Sequence, residues 1–155
     1  MAASNPKPTI IYIPGAWHTP AAFQTVRTQL ESLGYPTAGV YLASVGAEPP
    51  LQTWEKDVEA IHAAAKQPVD AGGDVIYVMH SYGGLPGSEA VKGLVKTERE
   101  KEGKRGGVLG LVYIASMCLG EGGSLAEMSE KRAEWIVPDV RVDLSPFPLA
   151  ISRVS

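Results

Sequence analysis

The chain has 155 residues, which is enough for one domain with a modest core and too few for two. Its hydrophobic content of 45% and its charged content of 20% are typical of a globular protein. The net charge of -3 argues against a surface that binds nucleic acid or an anionic membrane, so we expect neither as a partner.

Cysteine usage and the N-terminal residues predict the compartment. Cys118 is the only cysteine, so no intrachain disulfide can form and a reducing compartment is favoured. Residues 1–8 contain no apolar signal segment, and no apolar run is long enough to span a bilayer. We therefore expect a soluble, cytoplasmic protein.

Strands and helices are predicted to alternate along the chain. Apolar, β-branched runs predict four strands, at residues 9–13, 37–42, 75–79 and 108–115. Helices follow the first two strands, and we expect Thr19 and Thr53 to be their N-caps. A third helix is predicted over residues 86–96. The charged residues 97–105 are interpreted as a solvated helix end rather than as a docking patch.

This alternation predicts an α/β fold with a doubly wound parallel sheet and right-handed crossovers. The strand at residues 75–79 is apolar throughout, so we expect it to be buried on both faces. Sites in such sheets lie beyond the carboxyl ends of the strands. His18 follows the first strand and Ser81 follows the third, so both polar clusters fall at that end of the sheet.

Ser81 is the leading candidate for a functional residue. It lies between a predicted strand and a predicted helix, in the sequence VMHSYGG at residues 78–84. A nucleophilic serine on such a sharp turn needs small neighbours two positions before and two positions after it. Gly83 meets this requirement and Met79 does not. The alternative is that Ser81 caps the following helix.

Two segments resemble the α/β-hydrolase superfamily, close to its plant methylesterases and hydroxynitrile lyases and to small fungal members. The sequence IYIPGAWH at residues 11–18 resembles the oxyanion segment, and VMHSYGG resembles the nucleophile elbow. The resemblance covers roughly residues 9–127. It implies an esterase-type serine hydrolase with a small ester-like substrate and no metal or organic cofactor. It also implies that Ser81 is the nucleophile and that the N–H groups of Ala16 and Tyr82 form the oxyanion hole.

The chain departs from the superfamily pattern in its histidines. In the superfamily, the triad acid and histidine follow the serine in chain order. Here His18, His62 and His80 all precede Ser81. We interpret His62 as a surface residue, and we expect the His80 side chain not to reach the Ser81 hydroxyl. Three roles stay open for His18: pocket lining, a bond to a loop carbonyl, or a replacement general base.

Other side chains near the two motifs carry weaker signals. Trp17 is a candidate for pocket lining or for packing, and the Tyr82 side chain is interpreted as pocket lining. Cys118 follows the fourth strand outside any nucleophile context. Asp139 and Asp143 do not follow a recognisable strand, so neither is a convincing triad acid. The glycines of the elbow lack the G-x-G-x-x-G spacing of a dinucleotide site.

The resemblance also implies that superfamily members continue through a cap segment, further strands and the triad acid and histidine. We therefore expect residues 1–155 to be a single incomplete α/β-hydrolase domain that is truncated at its C-terminus and lacks the last strands. Residues 9–117 are its expected core of sheet and helices. Residues 118–155 are expected to be the start of a cap and a divergent tail.

Two functional hypotheses of different classes stay open. The first is an esterase-type serine hydrolase that is inactive or weakly active because the triad acid and histidine are missing. The second is a non-catalytic fragment that binds a small molecule or a partner protein. Under both, residues 108–115 form an edge strand that carries no charge and no proline. We expect such an edge to self-associate, because its unpaired backbone groups recruit other chains.

Overall fold

The computed structural model describes residues 6–120, which contain one parallel sheet. The sheet has four strands in the order β2-β1-β3-β4. The strands are β1 (Thr9–Ile13), β2 (Thr37–Gly39), β3 (Asp74–His80) and β4 (Gly107–Ile114). Every pairing between them is parallel, and helical segments connect successive strands. The predicted α/β fold with a parallel sheet is therefore confirmed.

Helices flank this sheet. They are α1 (Gln24–Ser32), α2 (Glu55–Asp70), α3 (Gly84–Ala90) and α4 (Lys96–Lys101), with 3-10 segments at Pro20–Phe23 and Ser81–Gly83. Helices α2 and α3 pack against each other and against β3, whereas α1 has no fully buried residue. Among residues 6–120, no helix combines the length and the apolar character that crossing a bilayer requires.

The core lies on the face of the sheet where α2 and α3 pack. Val75, Tyr77 and Met79 of β3 are buried there with Ile61 and other residues of α2. The residues of β3 that alternate with them are half-buried. The expectation that this strand is buried on both faces was therefore wrong. An apolar run shows that both faces tolerate burial, but the elements packed on each face decide which one is covered.

The observed caps differ from the predicted ones. Thr19 does precede a helical segment with Pro20 at its start, but the Thr19 side chain makes no capping hydrogen bond. Trp54, not Thr53, is the N-cap of α2. The Thr53 hydroxyl instead donates to the Glu55 carboxylate at 3.1 Å, a local bond that competes with capping.

Two predicted elements are shorter than expected. Strand β2 ends at Gly39, although the Val40 N–H still donates to the Tyr12 carbonyl at 3.0 Å. The third helix is divided, because α3 ends at Ala90 and the charged helix α4 begins later. Gly93, between them, has a φ of 75°, a left-handed conformation that interrupts an α-helix.

Strand β4 lies at an edge of the described sheet. It pairs with β3, and on its other side the described residues contribute an isolated bridge from Val95 to Val108. A register shift leaves Leu109 out of the pairing. Leu109 is 51% exposed, and Val112 and Ile114 are each 45% exposed. The expected apolar edge is therefore present in the part of the chain that the structure describes, and self-association through it stays a prediction.

Candidate active site

The turns that follow β1 and β3 lie side by side at the carboxyl edge of the sheet. The two strands are neighbours, with Tyr12 opposite Val78 and Ile13 opposite Met79. The turn after β1 carries residues 14–18, and the turn after β3 begins at Ser81. In α/β folds with parallel sheets, ligands bind at this edge.

Ser81 occupies a strained backbone position between β3 and the 3-10 segment that leads into α3. Its φ of 49° lies in the left-handed region, which costs a non-glycine residue roughly 1–2 kcal/mol. The preceding residue, His80, is still extended, with φ -111° and ψ 134°. The chain therefore turns at Ser81 itself, as it does at the strand-to-helix turn of a nucleophile elbow.

The Ser81 hydroxyl does not cap a helix. The N-cap residues are His80 for the 3-10 segment and Gly83 for α3, and neither helical start has a side-chain capping hydrogen bond. The alternative in which Ser81 serves as a cap is therefore wrong. The Ser81 residue is half-buried.

The two turns touch through glycines. A Cβ at Gly83 would lie 2.5 Å from the Pro14 carbonyl oxygen. A Cβ at Gly15 would lie 3.0 Å from the Ser81 Cβ and 2.9 Å from the His80 Nδ1. Each of these contacts is closer than real Cβ atoms normally allow. Glycine at both positions therefore lets the loop after β1 approach Ser81.

Met79 stands where the elbow pattern has a glycine, and α3 accommodates its bulk. Met79 is fully buried, and its Sδ would lie 2.5 Å from a Cβ built on Gly87. The space that a glycine would supply on the strand is thus supplied by a glycine on the helix that packs over it. Gly87 is therefore the sequence signal that completes this elbow, and sequence analysis did not use it.

The carbonyl group of Ser81 is held by residues that follow β4. The Ser116 hydroxyl donates to the Ser81 carbonyl oxygen at 2.8 Å, and the Met117 N–H donates to the same oxygen at 3.0 Å. Ala115, with a φ of 41°, turns the chain after β4. A Cβ at Gly84 would clash with the Ser116 hydroxyl and the Met117 carbonyl. Ser116 was not among the site residues predicted from the sequence.

A buried carboxylate that sequence analysis missed holds the side chain of Tyr82. Asp57 is fully buried in the first turn of α2 and accepts a hydrogen bond from the Tyr82 hydroxyl at 2.8 Å. It also accepts hydrogen bonds from the N–H and the hydroxyl of Ser44, at 2.9 and 2.6 Å. The signal in the sequence is helical spacing, since Asp57, Ile61 and Ala65 share the buried face of α2.

The Tyr82 ring is therefore a structural contact between the elbow and α2. Burial, followed by the hydrogen bond to Asp57 and its negative charge, raises the pKa of the Tyr82 hydroxyl above its ordinary value. The hydroxyl stays protonated and remains a donor. Pocket lining by the Tyr82 side chain stays a prediction. The Tyr82 N–H lies directly after Ser81 in the chain.

The loop after β1 is exposed, in contrast to the elbow. Trp17 has a φ of 61° and is 91% exposed, so its ring is not packed in the core. The His18 Nδ1 lies 2.8 Å from the Ala16 carbonyl oxygen. Because that oxygen can only accept, a hydrogen bond here requires Nδ1 to be the donor, which leaves Nε2 as the acceptor of the corresponding neutral tautomer. A loop-carbonyl bond was one of the three roles left open for His18.

The other two histidines are packed against helical segments. The His80 ring meets the His18 ring edge-on at 5.8 Å and lies 6.5 Å from the Phe23 ring. His62 is half-buried, and its Nδ1 lies 3.0 Å from the Ala90 carbonyl oxygen. The expectation of a surface role for His62 was wrong, because α3 ends beside it and leaves a carbonyl group that the ring can satisfy.

The remaining candidates from the sequence are Cys118, Asp139 and Asp143. Cys118 is an exposed free thiol. Asp139 and Asp143 lie outside the described residues. Within residues 6–120, no group of three or more histidine, cysteine, aspartate or glutamate side chains is placed to hold a metal ion.

Comparisons with known proteins agree with this geometry. A family model described as the alpha/beta hydrolase family matches residues 10–153. The alpha/beta hydrolase nvfD of Aspergillus novofumigatus is 38% identical over 126 residues, which are 81% of this chain and 50% of that protein. A probable hydrolase of Phoma sp. is 28% identical over 155 residues, covering 94% of this chain and 59% of that protein.

Solved structures show the same fold. Polyneuridine aldehyde esterase has a TM-score of 0.63 at 20% identity, over 88% of this chain and 51% of that one. Tomato methylketone synthase I, solved with 2-tridecanone, has a TM-score of 0.56 at 18% identity, over 74% of this chain and 42% of that one. At these identities the likeness concerns the fold alone.

The sheet, the elbow and the matched residues define an alpha/beta hydrolase. The family model covers most of the chain, so the chain belongs to the alpha/beta hydrolase family. The family resemblance inferred from the two sequence motifs is therefore confirmed. The chain spans about half the length of the curated relatives it matches.

Proposed function

We propose that this chain carries the nucleophile and the oxyanion donors of a serine hydrolase that acts on small esters. Ser81 is the nucleophile, and the backbone N–H groups of Ala16 and Tyr82 are the oxyanion donors. The observation that carries the proposal is the left-handed backbone of Ser81 at the turn from β3 to α3. The contact between the Gly15 backbone and Ser81 supports it, because it brings the Ala16 segment to the nucleophile.

Family membership supports hydrolysis as the reaction, and we propose the ester class by analogy with polyneuridine aldehyde esterase, which shares the fold. In the proposed reaction, the Ser81 hydroxyl loses its proton to a base as Oγ attacks the ester carbonyl carbon. The carbonyl oxygen becomes negative, and the two N–H groups stabilise that charge. The bond to the alcohol oxygen then breaks, the alcohol takes up a proton, and the acyl group stays on Ser81. Water hydrolyses this acyl-serine, releasing the acid and restoring the hydroxyl.

The usual general base for Ser81 is not found within these 155 residues. No histidine follows Ser81 in the sequence, and general-base help is typically worth about 10²–10⁴-fold in rate. We therefore expect these 155 residues to hydrolyse an activated ester at least about a hundredfold more slowly than a complete relative does. His18 is the candidate for a residual base, because its bond to the Ala16 carbonyl leaves Nε2 free to accept a proton.

Turnover of p-nitrophenyl acetate by the purified chain tests this proposal. The expected result is slow release of nitrophenol with one acetyl group on Ser81, identified by peptide mass spectrometry. Ser81→Ala should abolish both, and His18→Gln should lower the residual rate. Release at the wild-type rate by Ser81→Ala would show that Ser81 is not the nucleophile. A wild-type rate equal to that of a complete relative, and lost in Ser81→Ala, would show that another base has been recruited.

The second candidate is a non-catalytic fragment that binds a small molecule or a partner protein. The observation that favours it is the exposed apolar edge at β4, where Leu109, Val112 and Ile114 lie open to solvent. A chain that is not acetylated at Ser81, but that runs as a defined complex in size-exclusion chromatography, would favour this candidate over the hydrolase.

A further inference from the structure

The proposed oxyanion donor at Tyr82 belongs to a peptide unit whose orientation is determined at its carbonyl end. The Ser81 C=O and the Tyr82 N–H are parts of one peptide unit. That unit is planar and trans, so the N–H points in the opposite direction to the C=O. Groups that hold the Ser81 carbonyl oxygen therefore also determine where the Tyr82 N–H points.

Two groups hold that oxygen, and both come from the segment after β4. They are the Ser116 hydroxyl, at 2.8 Å, and the Met117 N–H, at 3.0 Å. The segment arrives there because β4 runs parallel to β3 and pairs with it up to its carboxyl end, where His80 lies opposite Ile114. One of the two donors is a side chain, so substitution can test its contribution.

The neighbouring residues fit this contact. Ala115 adopts a φ of 41°, an unfavourable conformation for alanine, in the residue that separates β4 from Ser116. Gly84 has no side chain, and a Cβ there would clash with the Ser116 hydroxyl. A strained residue on one side and a glycine on the other thus allow the hydroxyl to reach the Ser81 carbonyl.

We propose that Ser116 is a positioning residue of the oxyanion hole, because its hydroxyl holds the Ser81–Tyr82 peptide unit with the Tyr82 N–H facing the developing oxyanion. This inference rests on the proposed function of Ser81. Since Ser116 acts through a peptide unit and not on the ester itself, its loss should slow acylation of Ser81 without weakening ester binding.

The test compares the wild type with Ser116→Ala and with a matched control, Ser88→Ala. Ser88 is also half-buried, and its hydroxyl donates to a backbone carbonyl, that of Gly84, at 2.5 Å. Each protein is acylated with p-nitrophenyl acetate that carries ¹³C at the carbonyl. Nitrophenolate release gives the maximal acylation rate and the half-saturating ester concentration. Isotope-edited infrared spectroscopy gives the stretching frequency of the acyl carbonyl on Ser81.

We expect Ser116→Ala to lower the maximal acylation rate about 3- to 30-fold and to leave the half-saturating concentration unchanged. This loss is smaller than the about 10²–10³-fold effect of removing an oxyanion donor, because the Met117 N–H still holds the carbonyl. The acyl carbonyl band should move to higher frequency or broaden as its hydrogen bonding weakens. Ser88→Ala should change neither the rate nor the band.

Ser116→Cys is measured in parallel, since it nearly preserves the side-chain volume but offers only a weak donor. It should slow acylation in the same direction, which keeps the inference testable if Ser116→Ala folds poorly. Wild-type rate and band position in a folded Ser116 variant overturn the inference and leave the role of Ser81 intact. A wild-type chain that is never acylated at Ser81 overturns the proposed function and this inference with it.

Discussion

Strands β3 and β4 are parallel neighbours with similar apolar sequences, yet they have different surroundings. Strand β3 is paired on both sides, and alternate residues along it are fully buried. Among residues 6–120, strand β4 pairs along its length with β3 alone and has an isolated bridge from Val95 on its other side, and several of its apolar side chains are exposed. Both strands lead into a non-glycine residue with positive φ, Ser81 after β3 and Ala115 after β4. An apolar run therefore predicts a strand, whereas its position in the sheet decides what covers it.

The largest expected difference between the two strands is at their glycines. Gly83 follows β3, and a Cβ there would lie 2.5 Å from the Pro14 carbonyl oxygen, a backbone atom that cannot move alone. Gly83→Ala should therefore lower the free energy of unfolding by about 3 kcal/mol or more, because the turn after β1 must separate from the elbow. Denaturant titration followed by circular dichroism measures this change.

Gly110, inside β4, is the matched control for that substitution. A Cβ at Gly110 meets nothing within 4 Å, and its φ is not in the left-handed region. Gly110→Ala should change the free energy of unfolding by no more than about 0.5 kcal/mol, or raise it slightly. Equal losses in the two variants would contradict the view that β3 leads into a crowded turn and β4 lies at an open edge.

The positive φ values after β3 and β4 make a second prediction. Replacing Ser81 or Ala115 with glycine relieves roughly 1–2 kcal/mol of left-handed strain in the folded state. Against this, glycine loses more conformational entropy on folding, which destabilises by roughly 0.5–1 kcal/mol. The free energy of unfolding of Ser81→Gly should thus be higher than that of Ser81→Ala by about 0.5–1 kcal/mol. That of Ala115→Gly should be higher than that of the wild type by about the same amount. Thermal unfolding of the four proteins checks this order, and a glycine variant that is less stable than its alanine partner would refute it.

The sequence predicted the sheet well because its strands are long apolar runs bounded by turn residues. The predicted strands at residues 9–13, 75–79 and 108–115 agree with β1, β3 and β4 to within a residue. Errors arose where one residue decides a boundary. The φ of 75° at Gly93 divides the predicted third helix, and the Thr53 hydroxyl bonds to Glu55 instead of capping α2.

The two turns of the candidate site were also located from sequence, because each motif is local. The residues that hold the elbow in place were not. The hydrogen bond from Tyr82 to Asp57 joins residues 25 apart, and that from Ser116 to the Ser81 carbonyl joins residues 35 apart. No local pattern encodes such pairs, since they meet only when the parallel strands and α2 have packed. A single sequence therefore indicates the candidate nucleophile, Ser81, more readily than the residues that hold it in place.

A tyrosine hydroxyl on each strand allows a further comparison of β3 with β4, with smaller expected changes in the free energy of unfolding. The Tyr77 hydroxyl of β3 is buried without a hydrogen-bond partner among the described residues, and burial raises its pKa. Tyr77→Phe should therefore leave the free energy of unfolding unchanged or raise it by about 1 kcal/mol. The Tyr113 hydroxyl of β4 shares a 2.7 Å hydrogen bond with the Ser88 hydroxyl. Tyr113→Phe should therefore lower the free energy of unfolding by about 0.5–1 kcal/mol. Urea titration measures both values. A greater loss of unfolding free energy in Tyr77→Phe than in Tyr113→Phe would contradict this prediction.

The smallest effect on stability is expected at the exposed edge itself, where association is the informative measurement. Val112 is 45% exposed, so Val112→Lys should change the free energy of unfolding by no more than about 0.5 kcal/mol. A lysine on an edge strand opposes pairing with another chain, because its charge would lose water in the interface between the two strands. In size-exclusion chromatography, we expect the wild type to elute as an oligomer and Val112→Lys to move toward the monomer.

Val26→Lys makes the same change at a 40% exposed position on α1 and should elute with the wild type. A wild type that elutes as a sharp monomer would show that the β4 edge does not recruit a second chain, and equal shifts in both lysine variants would assign the effect to net charge rather than to the edge.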